Sequence, residues 1–123
     1  MEILKITKAD LNERNEYIRS RDLEFEGHIE VKASLGWVKI LGFVRAAGGL
    51  SIEAGSSIKA GRSIKAGESI KAGWSIRCKE DLTVKLRIFA GLCAWRLPEP
   101  EEQVVECAKL TKGTVCFGML KLL

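Results

Sequence analysis

Apolar and polar positions alternate along this chain in short bursts instead of long runs. From Ile52 onward an aliphatic residue, a polar residue and a small residue recur every six positions: Ile52, Ile58, Ile64, Ile70 and Ile76, each followed two places later by Ala54, Ala60, Ala66, Ala72 and Cys78. An apolar pair split by one polar residue is the period-two mark of a short strand, with both apolar side chains entering a core and the residue between them facing water. The same pair continues at Leu82 and Val84 and at Ile88 and Ala90. Upstream it reads Leu23 and Phe25, Ile29 and Val31, Leu35 and Trp37, Leu41 and Phe43, and Ala47 and Gly49, with a slip of one residue between Gly49 and Ile52. In the repeat itself a Gly follows the pair, at Gly55, Gly61, Gly67 and Gly73, and is expected to turn the chain through its freedom of backbone angle.

Six residues are too few for a hairpin, whereas three such units close an 18-residue coil whose backbone bonds to the coils on either side. The pattern therefore predicts an all-β, single-stranded triangular β-solenoid. It should have about four coils between residues 23 and 92, as part of one compact domain. Stacking predicts three columns: Leu23, Leu41, Ile58 and Ile76; Ile29, Ala47, Ile64 and Leu82; and Leu35, Ile52, Ile70 and Ile88. Phe25, Trp37 and Phe43 would make the first coils broader inside than the later, Ala-lined ones. Lys59, Lys65 and Lys71 would then point in three different directions, as solubilising groups and not as one basic ladder.

Solenoid ends leave unpaired strand edges that need covering. In residues 1–22 the stretch Thr7-Lys-Ala-Asp10 reads as a capping box opening a short N-terminal helical cap, with Leu11, Tyr17 and Ile18 on its inner side. In residues 93–123 two alternating runs, Gln103 to Leu110 and Thr114 to Leu122, flank Thr111-Lys-Gly113 and predict a C-terminal β-hairpin. The apolar tail Gly118-Met-Leu-Lys-Leu-Leu123 either packs on the solenoid or forms an oligomer contact.

Composition narrows the chemistry. The formal charge is +4, with eight Lys or Arg against four acids between Leu50 and Arg87 and an acidic group at Glu99, Glu101, Glu102 and Glu106. That imbalance falls short of the basic stripe of a nucleic-acid binder and argues against a nucleic-acid partner. Cys78, Cys93, Cys107 and Cys116 form no C-x-x-C pair, and His28 is the one histidine; no metal site and no cofactor are expected. The opening residues lack the pattern of a secretion signal, and the most apolar window, Gly36 to Ile52, carries Lys39 and Arg45 and is too short to cross a bilayer; a cytoplasmic setting without a membrane is the expectation.

The hexads resemble those of hexapeptide-repeat β-helices, although the small residue follows the aliphatic one where the left-handed pattern puts it before, which leaves handedness open. Gly-x-Ser-Ile-Lys-Ala is also similar to the strands of bactofilins, solenoids that polymerise end to end. The Ile-Lys-Ala-Gly-x-Ser hexads leading into Val84-Lys-Leu-Arg-Ile-Phe-Ala-Gly-Leu-Cys-Ala-Trp-Arg96, with Gly113-Thr-Val-Cys-Phe-Gly118 later, resemble a family of uncharacterised proteins of phages and mobile elements of Gram-positive bacteria. That resemblance implies an origin in a phage or integrated element of a bacterium and no particular reaction.

Three readings follow. The first is a non-enzymatic protein-binding module that modulates a protein of the bacterial host, a defence component being one such target. Candidate contact residues are Trp74, Arg62, Glu68 and Lys71, placed at or beside variable corners, with Trp74 as an anchor. A homo-oligomer, a dimer through the C-terminal hairpin or a solenoid end, belongs to the same expectation. The second is a self-assembling structural solenoid. The third is an acyltransferase using His28 as general base, disfavoured because no second catalytic group accompanies it.

Overall fold

The computed structural model describes residues 2–53, 56–91 and 104–123. It is all-β, and its strands pair in parallel, as in a β-solenoid. Fourteen strands are described: β1 (Ile3–Ile6), β2 (Leu23–Phe25), β3 (His28–Val31), β4 (Gly36–Ile40), β5 (Val44–Ala46), β6 (Leu50–Ile52), β7 (Ser56–Ala60), β8 (Ile64–Ala66), β9 (Ile70–Ala72), β10 (Ile76–Cys78), β11 (Asp81–Ala90), β12 (Val104–Cys107), β13 (Lys109–Phe117) and β14 (Met119–Leu122).

They stack in three ladders. The first runs β2, β5, β8, β11 and β13, in the register Leu23, Val44, Ile64, Leu82, Leu110. A second joins β1, β3, β6, β9, the far half of β11 and the far half of β13, as Leu4, Ile29, Leu50, Ile70, Ile88, Val115. The third contains β4, β7, β10, β12 and β14, as Val38, Ile58, Ile76, Val105, Leu120. These residues and their neighbours two places on form one continuous core, with the aliphatic member of nearly every pair buried. The core is stacked instead of layered because each circuit lays a like side chain on the one before.

The eighteen-residue spacing holds only in the later circuits. From Leu23 to Val44 the chain takes 21 steps, from Val44 to Ile64 it takes 20, and from Ile64 to Leu82 it takes 18. The expected pairs Ile58 with Ile76, Ile64 with Leu82 and Ile70 with Ile88 are present. The upstream assignments are not: Val38 stands opposite Ile58 where Leu41 was expected, Val44 opposite Ile64 in place of Ala47, and Leu50 opposite Ile70 in place of Ile52. Two long corners cause the shift: Ile29 to Val38 takes nine steps and Leu50 to Ile58 eight, where six were expected; at the first, Ser34 and Gly36 take left-handed backbone angles, with φ of 60° and 70°. Leu41 is therefore 46% exposed, Phe43 is only half-buried, and Trp37 faces outward on the same side as Lys39. The wider aromatic interior expected for the first circuits is absent; only Phe25 packs against the core.

The hexad glycines serve a purpose other than the one expected. Gly61 and Gly67 do not take positive φ. A Cβ at Gly61 would run into the main-chain oxygen of Leu41, and one at Gly67 into that of Ala47. Glycine is required because successive circuits approach there backbone to backbone.

Both predicted caps need correction. Among the described residues no α-helix covers the N-terminal side of the stack. Thr7 N–H does donate to the Asp10 carboxylate at 2.9 Å, but only a three-residue 3-10 turn, Lys8–Asp10, follows. Around it β1 extends the second ladder, and Tyr17 N–H donates to Lys39 O at 2.8 Å while Lys39 N–H donates to Asn15 O at 2.9 Å, so this segment lies across the open edge of β4. Ile6 and Tyr17 are buried, Leu11 is partly so, and Ile18 is exposed.

The C-terminal hairpin is likewise not formed. β12 pairs in parallel with β10, β13 with β11 and β14 with β12. Period-two alternation is shared by hairpins and solenoid strands and does not reveal strand direction. Gly113, at φ 118°, bends β13 from the first ladder to the second instead of reversing the chain. Residues 93–103 of the segment assigned to this cap lie outside the described residues.

Candidate binding surface

Each circuit hands the next a set of corner contacts, which explains why the repeat tolerates change at some positions. The carbonyl of Arg62 accepts from Lys79 N–H and Glu80 N–H at 3.1 Å, that of Glu68 from Leu86 N–H at 3.2 Å, and that of Trp74 from Gly91 N–H at 2.9 Å. The corner bond is made by the main chain, so the side chain is free to vary. Serines of the repeat act the other way, with their side chains: Ser57 Oγ accepts from Ser75 N–H, Ser69 Oγ from Arg87 N–H and Ser75 Oγ from Val104 N–H, at 3.2 to 3.3 Å. Ser56 is no corner residue; it is buried in β7, where its hydroxyl donates to Lys32 O at 2.6 Å and accepts from Leu35 N–H at 2.9 Å.

Arg62, Glu68, Lys71 and Trp74 do not converge on one patch. Arg62 lies between β7 and β8, exposed and ion-paired to Glu80 at 3.5 Å. Glu68 lies between β8 and β9, Lys71 is exposed on β9, and Trp74 is half-buried between β9 and β10. Glu68 and Lys71 share a shallow groove of 380 Å³ that Ile3, His28, Ser51 and Ser69 also line. Lys59, Lys65 and Lys71 fall on three different ladders.

His28 is tied into the fold. Its Nδ1 accepts from Gly49 N–H at 2.9 Å, and a Cβ on Gly48 would strike the imidazole ring. The ring is thereby a spacer between β3 and the next circuit. Cys78 and Cys107 are both buried in the third ladder, two places beyond the Ile76 and Val105 pair. Burial, with Cys107 alongside, pushes the Cys78 thiol up to about 12, and burial raises Cys107 as well. Such thiols are protonated and unreactive at neutral pH.

The surface that stands out is the end of the stack. Residues that point inward from the last circuit, Leu110, Val115, Leu120 and Leu122, continue the three core columns, yet no described strand lies on the outer edge of β13 or β14. One circuit earlier the equivalent residues Leu82, Ile88, Val105 and Cys107 are fully buried. Leu120 is 43% exposed and Leu122 59%, with Met119 and Leu123 more than half exposed beside them. This is a cross-section of the core exposed to solvent, and among the described residues no strand pairs with the outer edges of β13 and β14, which together span all three ladders.

Charge around this end is cationic. Lys109, Lys112 and Lys121 are exposed at its rim. Lys121 sits in register with Glu106 and Arg77, and Glu106 is shared between them, at 3.8 Å from Lys121 and 3.6 Å from Arg77. Arg77 also lies over the Trp37 ring, 4.9 Å from its centroid, which fixes one outer row of the third ladder. The apolar tail was legible in the sequence; that its leucines are the last layer of the core was hidden by reading the segment as a hairpin.

Comparison with protein-family models, curated proteins and solved structures returns no match. Among the described residues no cluster of three or more His, Cys, Asp or Glu could hold a metal ion, and no helix is long and apolar enough to cross a membrane.

Proposed function

We propose that this chain is a triangular β-solenoid that serves as a non-enzymatic protein-binding module, and that its binding site is the uncovered C-terminal end of the stack. The observation that carries this reading is the exposure of Leu120 and Leu122 in columns that are otherwise fully buried. Open strand edges accept a further strand through main-chain hydrogen bonds, and the apolar cross-section supplies the free energy. The ligand is therefore a polypeptide that offers an unpaired β-edge with apolar side chains. The resemblance to phage and mobile-element proteins supports a bacterial cell as the setting and a host protein as one class of partner.

Head-to-tail assembly into filaments is the weaker reading, because Asn15 to Tyr17 already lie across β4 and Ile6 and Tyr17 close the core at the other end. The test is capture from host lysate with the wild-type chain and with a Leu120→Asp/Leu122→Asp variant. A polypeptide retained in stoichiometric amount by the first and lost from the second supports the proposal. Identical capture by both contradicts it.

A further inference from the structure

Resting on that reading, we infer that the open end is occupied by a second copy of this chain, tail to tail, in a closed two-fold dimer. The two ends of the stack are chemically unlike. At the N-terminal end the first-circuit core residues Leu23, Ile29 and Val38 are all buried; β1 pairs outside β3, and the Leu11 to Tyr17 segment, whose outer residues include Asn12, Glu13 and Arg14, lies across β4. That end offers no apolar cross-section to receive Leu120 and Leu122 of another molecule. The C-terminal end does, and it is the only such surface among the described residues.

A surface that meets itself must be self-complementary about a two-fold axis. An apolar centre of Leu110, Val115, Leu120 and Leu122 meets that condition, since each copy buries the other's last core layer. The free edges of β13 and β14 also find partners that no isolated side chain could supply, because only another strand edge offers a matching series of donors and acceptors. Closure follows: once both C-terminal ends are used, no open apolar end of the stack remains among the described residues to propagate it.

Two features set the strength of this contact. The nine residues of β13 and the four of β14 make a footprint smaller than the roughly 20–30 residues a side of a standard stable interface. The dimer should accordingly be weak, its population rising with protein concentration. The rim lysines Lys109, Lys112 and Lys121 of one copy face those of the other, so added salt, by screening like charges, should tighten it. A partner of complementary, acidic rim would show the opposite dependence.

The experiment is light scattering on the purified full chain across concentration and salt, with the dye 8-anilinonaphthalene-1-sulfonate as a probe of exposed apolar surface. A mass rising from 13.6 kDa to twice that value and stopping there is expected. The association should strengthen at high salt and weaken at least about tenfold in Leu122→Asp. A mass that keeps growing beyond two chains overturns the inference, as does dimerisation that weakens with salt. A single-chain mass with dye bound to the wild type and lost in Leu122→Asp overturns the pairing but leaves the binding end standing. A single-chain mass with no dye bound overturns both.

Discussion

Ile58 and Ile76 stand directly opposite each other on adjacent parallel strands, both fully buried. Over eighteen steps the chain leaves β7, passes through β8 and β9, and returns to lie one strand further along the third ladder. A sequence repeat is thereby converted into a repeated cross-section, and the cost of altering one aliphatic residue is set by the layer it occupies.

Ile70 occupies such a layer, between Leu50 and Ile88. Replacing it with Ala removes buried methylenes and leaves a cavity that the rigid ladders cannot close, so Ile70→Ala should cost about 2–5 kcal/mol in urea denaturation. Lys71→Ala, one residue on and exposed, should change stability by less than about 0.5 kcal/mol. Equal effects at the two positions would contradict the stacking.

Gly67 is held by close approach to Ala47 and not by its backbone angle. Gly67→Ala should therefore destabilise by about 1–3 kcal/mol, through a displaced main chain between the second and third circuits. Without that close approach, the ordinary φ of Gly67 would let Ala be tolerated, with a gain of about 0.4–1 kcal/mol from the lower entropy of the unfolded chain. The sign of the change separates the two accounts.

The buried thiols give a pH signature. An unfolded Cys78 titrates near 9.0 and the folded one at about 12. Between those values the unfolded chain sheds its proton first, so stability falls as pH rises from about 9 toward about 12 and is unaffected below that window. A Cys78→Ala/Cys107→Ala variant should show a flatter alkaline profile in denaturation series. In a Cys93→Ser background the exposed Cys116 should react with a thiol reagent at once, and the other two only as the protein unfolds.

What could be read beforehand followed from how much of the chain obeyed one period. Ile58 through Ala90 keep strict six-residue spacing, and counting places the pairs inside that stretch: Ile58 with Ile76, Ile64 with Leu82 and Ile70 with Ile88. Upstream, Leu35 and Trp37 mimic a core pair, but the real pair is Val38 and Ile40, because the corner after Val31 is longer and a period carries no record of an insertion. Thr7 and Asp10 make the contact of a helix start, yet β1 and the Tyr17 to Lys39 bond hold the flanking chain extended, and tertiary pairing prevails over the local signal. The proposed binding surface is half visible in the sequence: Trp74 and Arg62 stand out as variable residues of the repeat, whereas Leu120 and Leu122 are distinguished by the core layer they end, which only the strand pairing reveals.

The most direct test of the account is nuclear Overhauser contact mapping of the last strands in the isotopically labelled protein. Parallel stacking predicts contacts between Leu120 and Val105 and between Leu110 and Leu82, with none pairing Leu110 to Thr114. Cross-strand contacts joining Leu110 to Thr114 and Ala108 to Cys116, as in an antiparallel hairpin about Thr111 to Gly113, would remove the open core end on which the proposed binding rests.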